Sequence, residues 1–482
     1  MKFGIFYEHQ LPRPWHDTSE QQLIQDALDQ VELADQLGIQ YVWEVEHHFL
    51  EEYSHSSAPE IFLAAASQRT TNIRLGHGII QTAPQYNHPA RTAERIATLD
   101  LVSNGRVEFG SGESGSEAEL GGFGIDPADK RAAWLEGLEV ALRCMTETPF
   151  TGVDGQFVQM PPRNVVPKPV QKPHPPLWVA CSRRDTILLA AEKGIGALSF
   201  AFIEPEDARQ WVADYEETLR EKCVPVGQMV NPQVACVTPM MCARDETVAI
   251  ERGLEGGNFF GYSLAHFYVF GEHRPAQTNV WDEFQERRGK MGYSPEAAIA
   301  AKSQTLGAKA AAGDETGLRG AIGTPDQLRE FLRRYEDAGV DQLIFVMQAG
   351  KNRHEHIMES LELFGTEVLP RVHRAGRRRQ RGQGRALGPD HRPGHGPHGR
   401  HRAGHVRRLC DEGVAQADGR PARDGTGSAV DGEAGRQDRH RRTRRGVRPS
   451  RRGLTVDSGL QQTEAVVVAA QHVVGGATQP VE

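Results

Sequence analysis

The sequence predicts an α/β fold: a (β/α)8 TIM barrel with a long insertion after its seventh strand and an Arg-rich C-terminal tail. Three observations predict it. Eight short apolar runs of β type recur along the chain, and helical patterns alternate with them. The odd polar residues fall, group after group, where a run passes into the next helix. Strands alternating with helices build a parallel sheet, and eight of them close into a barrel whose chemistry lies at the C-terminal rim.

The predicted strands are residues 2–7, 40–44, 73–80, 106–109, 177–180, 197–200, 233–239 and 342–347. After the first, Ser19-Glu20 opens a helix with Leu23, Ala27, Val31 and Ala34 at three- and four-residue spacing, and Gly38 ends it. Residues 59–67 form an apolar helix before strand three. His88-Pro89 opens the next helix, which carries Ala93, Ile96, Ala97 and Leu99, and Ser103-Asn104-Gly105 turns into strand four. Residues 131–145 are amphipathic, with Trp134, Leu138, Ala141, Leu142 and Met145 on one face. The proline-rich stretch 161–176 forbids helix and central strand alike. Residues 186–193 and 205–222 are the helices after strands five and six. From about 245 to 324 the pattern loosens, over a stretch far longer than an ordinary βα connection. Its aromatic residues Phe259, Phe260, Tyr262, Phe267, Tyr268 and Phe270 suit either packing or a lid. Thr324-Pro325-Asp326 caps a helix over 327–338; strand eight and a helix over 355–368 close the body.

The formal charge of −8 is unevenly spread. From Arg377 onward there are 21 Arg against 11 Asp and Glu, and no Lys, Phe, Tyr, Trp, Ile, Met or Asn. That surplus of 10 positive charges leaves −18 on the preceding residues. So acidic a body argues against nucleic acid as its partner. Residues 1–374 therefore read as the barrel domain. Residues 375–482 read as a low-complexity Arg/Gly/His-rich tail, too poor in apolar surface to offset its ordering entropy. The tail is either an Arg-rich arm for nucleic acid or coding sequence read in a shifted frame. The absence of Lys and the abrupt change after Ala375 favour the second. Six cysteines without C-x-x-C spacing point to free thiols in a reducing compartment. Residues 1–10 lack the pattern of a signal peptide, and no apolar run is long enough to span a membrane. The expectation is a cytoplasmic protein with no membrane partner.

Several groups at strand ends carry candidate chemistry. Gly110-Ser111-Gly112-Glu113-Ser114-Gly115 matches G-x-G-x-x-G after a strand. A dinucleotide site needs a helix to open there, but Glu117-Ala118-Glu119-Leu120 runs straight into Gly121-Gly122-Phe123-Gly124, too short for much dipole, and Glu113 would set a carboxylate against the phosphates. Gly110 and Gly112 more readily let backbone pass close to a flat bound ring. Cys181-Ser182-Arg183-Arg184-Asp185-Thr186 lies between a strand and a helix, where unpaired N–H groups, the Ser182 and Thr186 hydroxyls and an arginine suit a phosphate. An ordinary Ser cap with solvated arginines is the alternative. Cys181 itself suits space-filling better than redox work. Glu46-His47-His48-Phe49 ends strand two. Adjacent histidines point apart and no third ligand has zinc-like spacing, so the reading is no metal and a histidine base or donor. A buried histidine bonded to a backbone carbonyl is the alternative. Gly76-His77-Gly78-Ile79 places two glycines inside strand three, which marks close approach by a ligand or another backbone, or a barrel bend.

Together these segments resemble the bacterial luciferase-like family of flavin-dependent monooxygenases. The residues that carry the resemblance are M-K-F-G-I-F from Met1, V-W-E-V-E-H-H-F from Val42, H-P-A-R-T-A-E from His88, N-G-R-V-E-F-G from Asn104, and the segments 179–194 and 323–328. The resemblance covers roughly residues 1–372. It implies a (β/α)8 barrel that holds reduced FMN at the rim, with the phosphate at Cys181, Ser182 and Thr186, and catalysis at His47 with His48 beside it. It also implies a non-proline cis peptide at Gly78-Ile79. Glu113 stands where the luciferase has a phosphate-binding arginine, so Arg183 or Arg184 is expected to substitute. The reaction implied is oxygenation of a small organic substrate by O2, with reduced FMN delivered by a separate reductase. The same fold also hosts deazaflavin-dependent hydride transfer and non-catalytic flavin binding, and a homodimer or heterodimer is open. Deleting residues 377–482 is expected to leave the melting temperature of the body nearly unchanged, measured by scanning calorimetry. A large drop would show that the tail is part of the fold.

Overall fold

The computed structural model describes residues 1–200, 203–288 and 320–372. Eight parallel strands close into a ring: β1 (Lys2–Tyr7), β2 (Tyr41–Glu44), β3 (Arg74–His77), β5 (Val107–Gly112), β8 (Leu177–Cys181), β9 (Gly196–Ser199), β10 (Val234–Cys242) and β12 (Gln342–Val346). The last strand returns to the first, with Phe3 opposite Leu343 and Ile5 opposite Phe345. Outside the ring, β4 (Ile80–Gln81) pairs with β5 and β11 (Ala321–Gly323) with β10. β6 (Val153–Asp154) and β7 (Gln159–Met160) form a small antiparallel pair before the proline-rich connector. All eight predicted strands are present, and the barrel is the predicted fold.

Alternation along the strands divides the core in two. Phe3, Ile5, Val42, Leu75, Val107, Phe109, Val179, Leu343 and Phe345 pack in the layer shared with the helices. Phe6, Tyr41, Trp43, Trp178, Leu198, Val237 and Ile344 fill the interior. The Trp43 ring stacks on Tyr41 at 6.0 Å and meets Trp178 edge-on at 5.3 Å. Trp178 Nε1 donates to Glu108 at 2.6 Å, and Arg74 pairs with the same carboxylate. The buried charge is thus paired, and the interior is packed.

The helices are α1 (Ser19–Leu37), α2 (Pro59–Arg69), α3 (Pro89–Val102), α4 (Glu117–Gly122), α5 (Lys130–Thr146), α6 (Arg184–Glu192), α7 (Pro205–Lys222), α8 (Glu246–Ala265), α9 (Val280–Arg288), α10 (Pro325–Ala338) and α11 (His354–Leu363). Gly38 stops α1 because it adopts φ 83°, and its N–H caps the Ala34 and Asp35 carbonyls. Thr324 and Gln327 start α10 with a reciprocal capping box.

Two expectations change here. The run 73–80 is broken into β3 and β4. Across the break, Gly78 N–H donates to the Glu44 carbonyl at 2.7 Å, and Glu46 N–H donates to the Ile79 carbonyl at 2.9 Å. The Gly78-Ile79 peptide is trans; the cis bonds among the described residues all precede proline. The implied cis bond is therefore corrected, because the trans backbone itself meets the continuation of β2 with both groups. The loose stretch after strand seven begins with a helix of 20 residues, α8. Gly253, Gly256 and Gly257 hide its pattern in the sequence. At Gly256 a side chain would collide with the Ala349 carbonyl. Phe259 packs on Trp281 at 4.9 Å and on Phe284 at 5.6 Å, so these aromatics have a packing role. Residues 201–202, the part of the insertion from 289 to 319 and the predicted tail from 375 lie outside the described residues.

A Cβ at Gly110 would run into the backbone oxygen of His77. Gly110→Ala is therefore expected to part β3 from β5 and to cost about 1–3 kcal/mol in urea unfolding. An unchanged midpoint would mean that the strands move aside freely.

Candidate active site

β1 and β2 are neighbours, with Tyr7 opposite Glu44, so the loops that follow them meet at the rim. The first carries Glu8, the second Glu46, His47 and His48. The short helix α4, after β5, brings Glu119 to the same place. His47 Nδ1 lies 3.0 Å from Glu119 Oε1, and its Nε2 lies 3.6 Å from Glu8 Oε2. Glu119 is 0% exposed and also accepts the His48 amide at 3.0 Å and the Ser114 hydroxyl at 2.8 Å. The Tyr53 hydroxyl donates to Glu8 at 2.8 Å. His48 Nε2 meets Glu46 at 3.1 Å, and Glu46 accepts the Gln81 amide at 2.7 Å and Asn87 Nδ2 at 2.8 Å. The two histidines thus turn to different carboxylates.

Burial alone would lower the pKa of His47, but the Glu119 and Glu8 carboxylates hold it up at about 9. Burial pushes Glu8 up to about 7, against the pull of His47 and the Tyr53 bond. Glu119 is desolvated too, yet the charge of His47 and its hydrogen bonds keep it below the usual carboxylate range. At neutral pH His47 is therefore a cation and Glu8 is the group poised to exchange a proton. The buried-histidine alternative fits His77. It is fully buried, its Nδ1 lies 3.4 Å from the Glu108 carbonyl, and burial lowers it to about 4.

The glycines of the rim answer first to the chain itself. A side chain at Gly76 would enter the Trp43 ring, and one at Gly112 would come within 2.9 Å of Ile79. A Cβ at Gly78 would sit 3.3 Å from both Phe6 and Trp43. On β8, Cys181 packs in the helix-side layer, its thiol 3.4 Å from the Val179 carbonyl and its pKa raised by burial, so it is a space-filler. Ser182 is exposed and Thr186 half-buried at the start of α6. Arg184 is taken by Asp214 at 2.6 Å, which leaves Arg183 the nearer candidate for an anion.

Sequence reasoning assigned no role to Glu8, which directly follows β1, or to Glu119, which lies in the short stretch after the glycine motif. It also missed the start of α5. There Arg131 pairs with Glu113 at 2.7 Å, Lys130 Nζ bonds the Ser114 carbonyl at 3.1 Å, and the charge of Arg183 reaches Lys130. Two adjacent cations opening a helix were the available signal. Tyr268, on a π-helical turn over His266–Phe270, closes the other side. Its ring lies 6.4 Å from those of His47 and Tyr53, and a Cβ on Gly115 would sit 3.2 Å from it.

His77 Nε2, Gln81 Oε1, Ser116 Oγ and Ser199 Oγ are buried at strand ends without hydrogen-bond partners. Such orphaned groups fit a polar ligand. A model of the family described as luciferase-like monooxygenase matches residues 1–342. The chain belongs to that family. It is similar to the oxygenase component of the flavin-dependent trigonelline monooxygenase of Acinetobacter baylyi, at 24% identity over 378 residues, 77% of this chain and 95% of that one. Its fold is shared with the oxygenating constituent of 3,6-diketocamphane monooxygenase of Pseudomonas putida, solved in complex with FMN, at TM-score 0.57 and 20% identity, covering 77% of this chain and 98% of that one. It is shared also with the coenzyme F420-dependent tetrahydromethanopterin reductase of Methanopyrus kandleri, at TM-score 0.52 and 23% identity, covering 77% and 99%. Among the described residues no helix is long and apolar enough to cross a membrane.

The raised values give a pH dependence. The contribution of His47 to stability is complete below its ordinary 6.5 and is lost as pH rises through about 9. That of Glu8 is complete below 4.5 and is lost as pH rises through about 7. The melting temperature is expected to fall from pH 6.5 to 9.5 by more in the native protein than in His47→Ala. Parallel curves would show that His47 is not held protonated.

Proposed function

We propose that this protein is a flavin-dependent monooxygenase that takes reduced FMN from a separate reductase and uses O2 to oxygenate a small organic substrate. The observation that carries the reading is His47, held between Glu119 and Glu8 at the rim of a barrel of this family. A relative described as an oxygenase component supports the separate reductase. When bound, the flavin supplies the redox chemistry and the activation of oxygen.

The residues of the chain bind, orient and shield. Ser182, Arg183 and Thr186, at the start of α6, would hold the phosphate, and Lys130 would add positive charge nearby. Gly76, His77, Gly78, Ile79, Gly110 and Gly112 would back the side of the mouth on which the ring lies. The orphaned groups of Gln81 and Ser199 offer it polar partners. His47 would exchange a proton at Nε2 with the reacting molecule, refilled by Glu8, which titrates closer to neutrality. His48, anchored by Glu46, would orient the loop. Tyr53, Tyr268 and Phe260 form an aromatic side that keeps water out.

Anaerobic titration with FMN and with reduced FMN, followed by admission of air and a panel of substrates, tests this. Tighter binding of reduced FMN and product formation only with O2 are expected. Anaerobic turnover with a reduced deazaflavin would replace the reading with hydride transfer, and binding without turnover would leave a flavin carrier. Under the same assay, His47→Ala is expected to lower turnover by ~10²–10⁴-fold. Unchanged turnover would give His47 a structural role.

A further inference from the structure

We propose that Glu119 is the positioning residue of this site, fixing His47 with its proton on Nδ1 and its Nε2 turned toward Glu8. The inference rests on His47 as the proton-handling group. Glu119 lies on α4, remote in sequence from the loop after β2, and three contacts converge on its carboxylate. Oε1 lies 3.0 Å from His47 Nδ1 and accepts the His48 amide at 3.0 Å, while Oε2 takes the Ser114 hydroxyl at 2.8 Å. The His48 amide can only donate to Oε1, and the charge of His47 with the hydrogen bonds around it keeps Glu119 below the usual carboxylate range, so the carboxylate is ionised and His47 Nδ1 is the donor. Rotation of the imidazole would take that donor from the fully buried Glu119 carboxylate, which is costly. The geometry is that of a histidine oriented by a buried carboxylate.

Other charged and titratable groups face His47 from every side. Glu8 comes from the end of β1, Tyr53 from the short helical turn after the β2 loop, and Tyr268 from the turn ending α8. Glu46 and His48 belong to its own loop. Of these only Glu119 is within direct hydrogen-bond distance of a ring nitrogen. Phe49 secures the same arrangement from outside. Its ring lies over Gly122, where a Cβ would collide with it, and 5.4 Å from the Phe123 ring, so α4 is clamped against the His47 loop.

The test reads the ring nitrogens of His47 by 15N NMR in the ligand-free, full-length protein, assigned with His47→Gln. In the native protein titration near pH 9 is expected, with the proton of the neutral form on Nδ1. In Glu119→Gln the titration is expected to fall by at least about one pH unit, a tenfold change in proton affinity. Glu119→Asp should recover part of the shift, and the basic limb of the kcat/KM profile should move with the titration. A folded Glu119→Gln protein with unmoved titration would overturn the proposal. Should that variant fail to fold, the native spectrum decides: a neutral form protonated on Nε2 overturns it as well. A shifted titration in a protein that never oxygenates any substrate would sink the monooxygenase reading and leave the role of Glu119 standing.

Discussion

Closure of the ring by β12 on β1 is the constraint from which the rest follows. In a closed parallel sheet each residue has one of two destinations, the interior or the layer under the helices, and a shift of one residue exchanges them. Trp43 and Trp178 go inward, Val42 and Val179 outward, and no strand can slip without undoing both layers. All strands point the same way, so their C-terminal ends make one rim. Glu8, Glu119 and Tyr268, far apart in the sequence, are thereby gathered around the loop of His47.

The barrel tolerates several buried carboxylates because each has a donor. Glu46 is satisfied by Asn87 and the Gln81 amide, Glu108 by Trp178 and Arg74, and Glu119 by His47, Ser114 and a backbone amide. Glu8 has one hydrogen bond, from Tyr53, and one oxygen without a bond. Burial pushes Glu8 up with little to offset it, whereas His47 and the donors around Glu119 outweigh its burial and keep it low.

The fold was almost wholly legible in the sequence. Buried parallel strands are continuous apolar runs, and their limits showed at Lys2–Tyr7 and within one to three residues in the others. Helix α8 escaped because its glycines serve close packing against the loop after β12, a tertiary demand with no local signature. The site was legible where chemistry is concentrated in neighbouring residues, as at His47 and His48. It was not legible where one carboxylate from a short helix completes it: Glu119 follows from α4 meeting the β2 loop, which no spacing encodes. Cys181 shows how alternation separates neighbours in the sequence. It stands beside Ser182 in the sequence, but alternation sends its thiol to the outer layer.

Tyr41, Trp43, Trp178 and the Arg74–Glu108 pair fill the barrel beneath the rim. No passage runs through the packed interior, so anything held at the rim must arrive and leave by the same C-terminal face.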